Sequence, residues 1–169
     1  VRERFGGLDV LVNNAGAAAM NPIALTTADG LRQTLDVNFV GTFLCARAAV
    51  RLLRRSPSPR IVNTTTVAVP LRLEGEAAYA AAKSAVETFT RVAAKEFAGF
   101  GITVNAVGPS PVKTDLTARV PAEKMQRLLE RQAIQEWADP ADVLNVVEFF
   151  LRPESRRITG QVLYLCGAG

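Results

Sequence analysis

The sequence contains no histidine, and this absence excludes several catalytic and metal-binding chemistries at once. Ser-His-Asp and Cys-His catalysis, His-ligated zinc and an imidazole general base all need that side chain. The two cysteines, Cys45 and Cys166, lie far apart in the sequence and form no CxxC pair. They therefore indicate neither a metal site nor a disulfide framework, and a reducing cytoplasm is the simplest setting for the chain.

Long apolar runs and concentrated charge are also missing. No stretch has the length of a membrane-spanning apolar segment, and residues 1–5 form no apolar signal-peptide core, so we expect neither membrane insertion nor secretion. The 20 Lys and Arg residues outnumber the 16 Asp and Glu residues, but they are scattered among the acids without a basic run. This pattern favours a solvated, Arg-rich surface over nucleic-acid binding.

The length of 169 residues fits one domain, and 49% apolar and 21% charged residues are typical of globular proteins. Short apolar runs that are closed by Gly, Pro or Asn predict four buried strands. These runs are residues 8–12, 60–67, 101–107 and 160–166.

Helical patterns lie between the predicted strands. Apolar residues at three- and four-residue spacings predict helices over 38–55 and 77–98, and a short amphipathic helix over 122–133. Asp139 and Pro140 suit the N-cap and first position of another helix, which ends near Arg152. Residues 2–7 look like the last turn of a helix. Strands and helices thus alternate, which predicts an α/β domain with a parallel sheet that is buried on both faces.

Tyr79 and Lys83 stand four residues apart, on one face of the predicted helix 77–98. A tyrosine normally has a pKa of about 10, and a nearby cation should lower that pKa toward neutrality. The phenol would then be a usable acid or base. By itself this spacing is a weak signal, because it occurs often by chance and is more typical of an exposed helix pair.

Other polar residues follow the predicted strands at corresponding places. Asn13-Asn14-Ala15-Gly16 follows the first strand, and Asn38 opens the next helix. Thr66 lies at a strand end, thirteen residues before Tyr79, and residues 109–114 follow the third strand. Because parallel α/β sheets bind ligands at the carboxyl ends of their strands, these residues are candidates for one site.

Together these motifs strongly resemble the short-chain dehydrogenase/reductase family, especially bacterial members akin to 3-oxoacyl-(acyl carrier protein) reductases. The resemblance covers the whole chain, through Ile158-Thr159-Gly160-Gln161-Val162. It implies the C-terminal portion of a Rossmann-type doubly wound parallel sheet of about four strands, with residues 1–169 as a single partial domain. It also implies NAD(P)-dependent hydride transfer between a nicotinamide and a carbonyl or secondary alcohol, on a small molecule or an acyl thioester.

The same resemblance implies roles for single residues. Tyr79 would be the catalytic acid/base, Lys83 would bind the nicotinamide ribose, Asn38 would support a proton-relay water, and Thr66 takes the place of a substrate-orienting serine. Residues implied to line the cofactor cleft are Asn14, Ala15, Gly16, Pro109, Ser110, Val112 and Thr114. Without the resemblance, Asn38 could be a satisfied buried amide, Thr66 an ordinary strand residue and Lys83 a solvated charge. The choice between NAD and NADP is not readable, and no metal is implied.

The sequence departs from the family pattern in its phosphate-binding part. No segment matches the glycine-rich Gly-xxx-Gly-x-Gly loop, which in the family precedes the equivalent of residues 7–9 together with the first three strands. We therefore expect the nicotinamide half of the site without the pyrophosphate and adenosine half. Thr66 and Ser110 replace the usual serine and glycine, which adds a methyl group at one position and a side chain at the other.

Three hypotheses remain open at this point. The chain is the catalytic portion of an oxidoreductase, a non-catalytic subunit that assembles with a complete reductase, or half of a split enzyme. The apolar strand 8–12 lacks its expected neighbour, and helices 38–55 and 77–98 carry more apolar residues than one sheet face needs. We expect a homo-oligomer, a dimer or tetramer, or a hetero-oligomer with a complete reductase.

Overall fold

Four parallel strands form the sheet in a computed structural model that describes residues 1–18, 20–114, 117–118 and 120–168, with every side chain in these ranges except that of Arg2. The strands lie side by side in the order of the sequence, β1-β2-β3-β4, and every ladder is parallel. Their bounds are Val10–Asn13 for β1, Arg60–Thr64 for β2, Thr103–Gly108 for β3 and Val162–Tyr164 for β4. The predicted four-stranded parallel α/β architecture is confirmed.

Two strands end earlier than the apolar runs predict. Strand β2 stops at Thr64, because the chain then turns, and the amide of Val67 donates to the carbonyl of Pro109 at 3.2 Å. Strand β4 stops at Tyr164, and Cys166 has a φ of 56° in the left-handed region. The apolar residues beyond both ends therefore fill the core from turns rather than from the sheet.

Seven α-helices are present in the described part of the chain. They are α1 Arg2–Phe5, α2 Ala28–Leu35, α3 Gly41–Leu53, α4 Ala68–Leu71, α5 Ala77–Glu96, α6 Ala122–Glu130 and α7 Pro140–Leu151. The predicted helical turn at residues 2–7 and the predicted start of α7 are confirmed. At the latter, the carboxylate of Asp142 accepts a hydrogen bond from the amide of Asp139 at 2.8 Å, which satisfies one free N–H of the first turn. None of the described helices is long and apolar enough to cross a membrane.

Asn38 does not open a helix, as the sequence predicted, but lies inside one. Helix α2 continues through a π-helical segment, Asp36–Val40, into α3. The side-chain amide of Asn38 donates to the carbonyl of Thr34 at 2.9 Å, the carbonyl four residues earlier that an α-helix would offer to the backbone. This side-chain bond competes with the helical ladder and accounts for the wider turn.

The sheet is covered on both faces. On one face, residues of α3 and α5 pack against β2 and β3, with Leu53, Ile61 and Val104 fully buried. On the other, α7 packs Val146 and Phe150 against the same two strands. This arrangement matches the doubly wound sheet that was predicted. At its outer edge, β1 has no strand beside it among the described residues.

Candidate active site

A cleft of about 750 Å³ opens at the carboxyl ends of the strands. It is lined by every site residue predicted from the sequence except Asn38, namely Asn14, Ala15, Gly16, Thr66, Tyr79, Lys83, Pro109, Ser110, Val112 and Thr114. The parallel sheet explains this gathering, because the loops after β1, β2 and β3 all leave from the same edge.

Tyr79 and Lys83 lie one turn apart on α5, and both side chains are buried in the cleft wall. The ammonium nitrogen of Lys83 is 5.9 Å from the centre of the Tyr79 ring. It donates a hydrogen bond of 2.9 Å to the carbonyl of Thr64, at the end of β2. Lys83 is thereby fixed between the helix and the sheet, which rules out the alternative of a solvated helix charge.

The expected lowering of the Tyr79 pKa by Lys83 is wrong for this structure. Burial raises the pKa of Tyr79 to about 12, and the charge of Glu76 raises it as well, while the hydroxyl of Thr66 lowers it. Burial also lowers the pKa of Lys83 to about 8. Desolvation disfavours the charged form of both groups, and Tyr79 keeps its proton at neutral pH.

Thr66 follows β2 and places its hydroxyl beside the phenol of Tyr79. The same oxygen accepts a hydrogen bond from the amide of Ala68 at 3.2 Å, which fixes its position at the start of α4. Thr66 is therefore not an ordinary strand residue. It presents a hydroxyl to the cleft at the position that the sequence predicted.

Asn38 lies behind the cleft wall and is fully buried. Its amide donates to the carbonyl of Ala17 at 2.7 Å and accepts from the amide of the same residue at 3.2 Å. A Cβ atom on Gly16 would stand 2.8 Å from Oδ1 of Asn38 and 3.2 Å from Nζ of Lys83. Asn38 thus holds the loop after β1 against Lys83, and its predicted part in a proton relay stays a prediction.

The polar half of the cleft fits the amide-bearing end of a dinucleotide. Ser110 lines the cleft and is 2% exposed, and its hydroxyl is buried without a hydrogen-bond partner among the described residues. An unpaired buried hydroxyl is the kind of group that a bound ligand can satisfy. Gly16 has no side chain, so its backbone can lie close to the ammonium group of Lys83, where a Cβ atom would be crowded.

The other half of the cleft is apolar and was not predicted. It is lined by Val67, Leu73, Met125, Leu128, Val143 and Val147, with Glu76 among them. These residues come from the turns on either side of α4, from α6, from α7 and from the N-cap of α5, and no sequence pattern indicates that those elements meet. The one available signal was that Glu76 stands three residues before Tyr79, at the beginning of a helix.

A second missed group lies beneath the cleft. The hydroxyl groups of Thr65 and Tyr164 both donate to Oε1 of Glu87, at 2.7 and 2.6 Å. Arg91 stands 3.9 Å from the other carboxylate oxygen. Glu87 follows Lys83 by four residues on α5, so this buried network joins the helix of Tyr79 and Lys83 to the ends of β2 and β4.

Comparison with known proteins identifies the family. The family model described as enoyl-(acyl carrier protein) reductase matches residues 1–167. The 3-oxoacyl-(acyl-carrier-protein) reductase of Synechocystis sp. is 35% identical over 98% of this chain and 66% of its own length. The corresponding reductase FabG of Vibrio cholerae is 32% identical over 99% of this chain and 68% of its own length.

Among solved structures, a 4-hydroxyisoleucine dehydrogenase mutant complexed with NADH and succinate superposes with a TM-score of 0.86. The two sequences are 27% identical, and the match covers 95% of this chain and 68% of the dehydrogenase chain. The chain thus spans about two thirds of the length of the proteins it matches. It belongs to the short-chain dehydrogenase/reductase family, with 3-oxoacyl-(acyl carrier protein) reductases among its homologues.

Proposed function

We propose that this chain carries the catalytic, nicotinamide-binding part of an NAD(P)-dependent oxidoreductase that interconverts a carbonyl and a secondary alcohol. The observation that carries this proposal is the placement of the Tyr79 phenol, the Lys83 ammonium and the Thr66 hydroxyl in one buried cleft. Its relatives named as reductases and dehydrogenases support the same class of reaction.

In the direction of reduction, Tyr79 gives its proton to the carbonyl oxygen, while Thr66 orients that oxygen by a hydrogen bond. A bound NAD(P)H would supply the hydride at the carbonyl carbon. The raised pKa of Tyr79 suits this direction, because the phenol stays protonated at neutral pH. In the direction of oxidation the phenolate must form first, so alkaline pH favours that reaction.

Lys83 and the loop after β1 complete the proposed cofactor site. Below a pH of about 8 the Lys83 side chain is charged, and its bond to the Thr64 carbonyl leaves two further N–H donors for ribose hydroxyls. We assign Asn14, Ala15 and Gly16 to the lining of the cofactor cleft, and the surroundings of the nicotinamide and its carboxamide to Pro109, Ser110, Val112 and Thr114. Asn38 would support a proton-relay water from behind the same loop.

The pyrophosphate half of the cofactor site would come from outside residues 1–169. The sequence has no glycine-rich phosphate loop, and the matched relatives are about half as long again as this chain. The open edge of β1 supports the same proposal, since a strand carrying that half would pair there. The missing half would be either a further segment of the same protein or another chain.

A non-catalytic assembly subunit is the second candidate, and the missing phosphate loop favours it. The outer faces of α3 and α5 also suit assembly, because Phe43, Leu44 and Val92 are exposed there and Phe43 packs against Phe89 with ring centres 5.3 Å apart. Either candidate would form a homo-oligomer, a dimer or tetramer, or a hetero-oligomer with a complete reductase.

The decisive experiment joins the N-terminal third of the Synechocystis reductase to Val1 and measures the oxidation of NADH and NADPH with an acetoacetyl thioester. We expect turnover, and we expect Tyr79→Phe to lower it by roughly 100-fold or more, the scale of losing a general acid. A folded chimera without turnover would favour the assembly subunit. Near-normal turnover of the Phe variant would remove Tyr79 from the mechanism.

A further inference from the structure

Glu76 places a carboxylate in the apolar half of the cleft. The residue is 7% exposed and lies at the N-cap of α5, three positions before Tyr79. Its side chain lines the cleft together with Leu73 and Met125. A charged group in such surroundings is costly unless a hydrogen-bond donor or a cation compensates for its lost hydration.

No such partner is provided by the described residues. The Glu76 carboxylate makes no hydrogen bond to the first amides of α5, although an N-cap side chain usually does so. Lys124 of α6 lies near Gly75, and its charge partly opposes the rise of the Glu76 pKa that burial causes. The two side chains nevertheless form no ion pair within 4.0 Å. The carboxylate therefore faces the cleft with its acceptor sites available.

The Glu76 carboxylate lies near the phenol of Tyr79, the proposed acid/base. Glu76 and Tyr79 are close enough for the charge of one to raise the pKa of the other, and both side chains line the same cleft. A substrate whose carbonyl or alcohol oxygen meets Tyr79 would bring its neighbouring substituents toward Glu76. An ammonium or hydroxyl group there would meet an acceptor, whereas a carboxylate would meet a like charge.

We propose that Glu76 is a specificity-determining residue, which accepts a hydrogen bond from an ammonium or hydroxyl group borne on an apolar substrate beside the reacting carbon. This inference rests on the proposed function, because Tyr79 defines the reacting carbon. Among substrates of the proposed reaction it favours apolar amino alcohols and diols, or the corresponding ketones, and disfavours substrates with an anion at that place.

A matched set of ring compounds tests the inference by binding, without any need for turnover. The probes are cyclohexanol, trans-1,2-cyclohexanediol, trans-2-aminocyclohexanol and trans-2-hydroxycyclohexanecarboxylate, titrated near neutral pH into the 169-residue chain and followed by NMR. We expect the amino alcohol to bind roughly 10-fold or more tightly than cyclohexanol, the scale of a hydrogen bond to a charged group. The diol should lie between them, and the carboxylate should bind most weakly.

Two substitutions test whether the binding preference depends on Glu76 itself or only on the net charge of the protein. Glu76→Gln keeps the shape and removes the charge, so the preference for the amino alcohol should fall to roughly 2-fold or less. The exposed Glu74, two residues earlier, gives the matched control, and Glu74→Gln should leave the preference unchanged. Equal binding of the four probes, no binding of any probe, or a preference that survives Glu76→Gln would overturn the inference.

A third substitution keeps the test independent of the folding of the Glu76 variant. Lys124→Gln removes an exposed cation that lowers the pKa of Glu76, so the preference for the amino alcohol over cyclohexanol should be lost at a higher pH than in the wild type. The same pH dependence of the preference in both proteins would count against the inference. Tyr79→Phe tests the proposed function separately, since it should lower turnover in the chimera by roughly 100-fold or more and leave the binding preference intact.

Discussion

The hydroxyl of Tyr164 donates a 2.6 Å hydrogen bond to Oε1 of Glu87, across 77 positions of the sequence. Thr65 donates to the same oxygen at 2.7 Å, so the end of β4, the start of the Thr66 turn and α5 meet at one buried carboxylate. The Tyr164 ring also fills the space over Gly108, where a Cβ atom would lie 2.3 Å from it. The hydrogen bonds to Glu87 and the packing of Tyr164 over Gly108 together hold α5, which carries Tyr79 and Lys83, against the sheet.

Tyr164→Phe should lower the free energy of unfolding by about 1.5 to 3 kcal/mol, the usual cost of losing a hydrogen bond to a charged group. The phenyl ring keeps the packing over Gly108, so the change isolates the hydroxyl. Urea denaturation followed by circular dichroism measures the difference. A loss below about 0.5 kcal/mol would show that Thr65 and Arg91 suffice for Glu87.

Lys83→Met should change how stability depends on pH. Burial lowers the pKa of Lys83 from 10.5 to about 8, so between these values the unfolded chain binds more protons than the folded chain. The stability of the wild type should therefore rise with pH over this window, by about 3 kcal/mol relative to the variant. Below a pH of about 8 the difference should be constant.

Denaturation of both proteins at several pH values gives this difference directly. The exposed Lys95, on the same helix, provides the control, because Lys95→Met should leave the pH dependence unchanged. A difference between wild type and Lys83→Met that does not vary with pH would mean that Lys83 is hydrated in the folded chain.

The apolar runs predicted the strands and the parallel sheet well, because a strand buried on both faces leaves a continuous signal in the sequence. Helix α2 left no such signal, since its eight residues include Asp29, Gly30 and Arg32 and bury only Thr34. The π-helical segment was equally hidden. It depends on a side-chain bond of Asn38 that no periodicity records.

The Tyr79 pKa could not be predicted from spacing for a different reason. Spacing reveals the nearby cation, Lys83, but neither the burial of the phenol nor the carboxylate of Glu76. The burial comes from the packing of elements that are distant in the sequence, and the three-residue spacing between Glu76 and Tyr79 does not by itself place that carboxylate near the phenol. The apolar half of the cleft was not predicted because it, too, depends on the packing of elements that are distant in the sequence.

Thr66→Ser should retain or raise the turnover of the chimera, and Thr66→Ala should reduce it strongly. The serine keeps the hydroxyl beside Tyr79 and removes a methyl group, whereas the alanine leaves the substrate oxygen without its second donor. Steady-state kinetics of the three proteins measure this. Equal rates would show that the hydroxyl takes no part in the reaction.

The 169-residue chain by itself should bind NAD(H) and NADP(H) weakly. The amides of a glycine-rich helix start, which hold the pyrophosphate of a dinucleotide, have no counterpart in the sequence. Titration calorimetry with each cofactor measures the affinity. A sub-micromolar dissociation constant would mean that another part of the chain binds the phosphates.

The chain should also associate in solution. The outer edge of β1 is free among the described residues, and Val12 of this strand is 41% exposed. Phe43 and Leu44 on α3 and Val92 on α5 are exposed as well. Light scattering at micromolar concentration should show a dimer, a tetramer or larger species. A monodisperse species of 18.1 kDa that unfolds cooperatively would contradict this expectation.

Gly16 approaches Asn38 and Lys83 closely, so the residues that are tolerated at these three positions, which lie far apart in the sequence, depend on one another. A side chain at position 16 would need a smaller or displaced partner at both 38 and 83, so a single substitution there should be deleterious in any background that keeps the other two. Because Lys83 also belongs to the proposed cofactor site, a library that varies the three codons together should return active variants that mostly keep glycine at position 16. The loop after β1 is thereby tied to the helix that carries Tyr79 and Lys83.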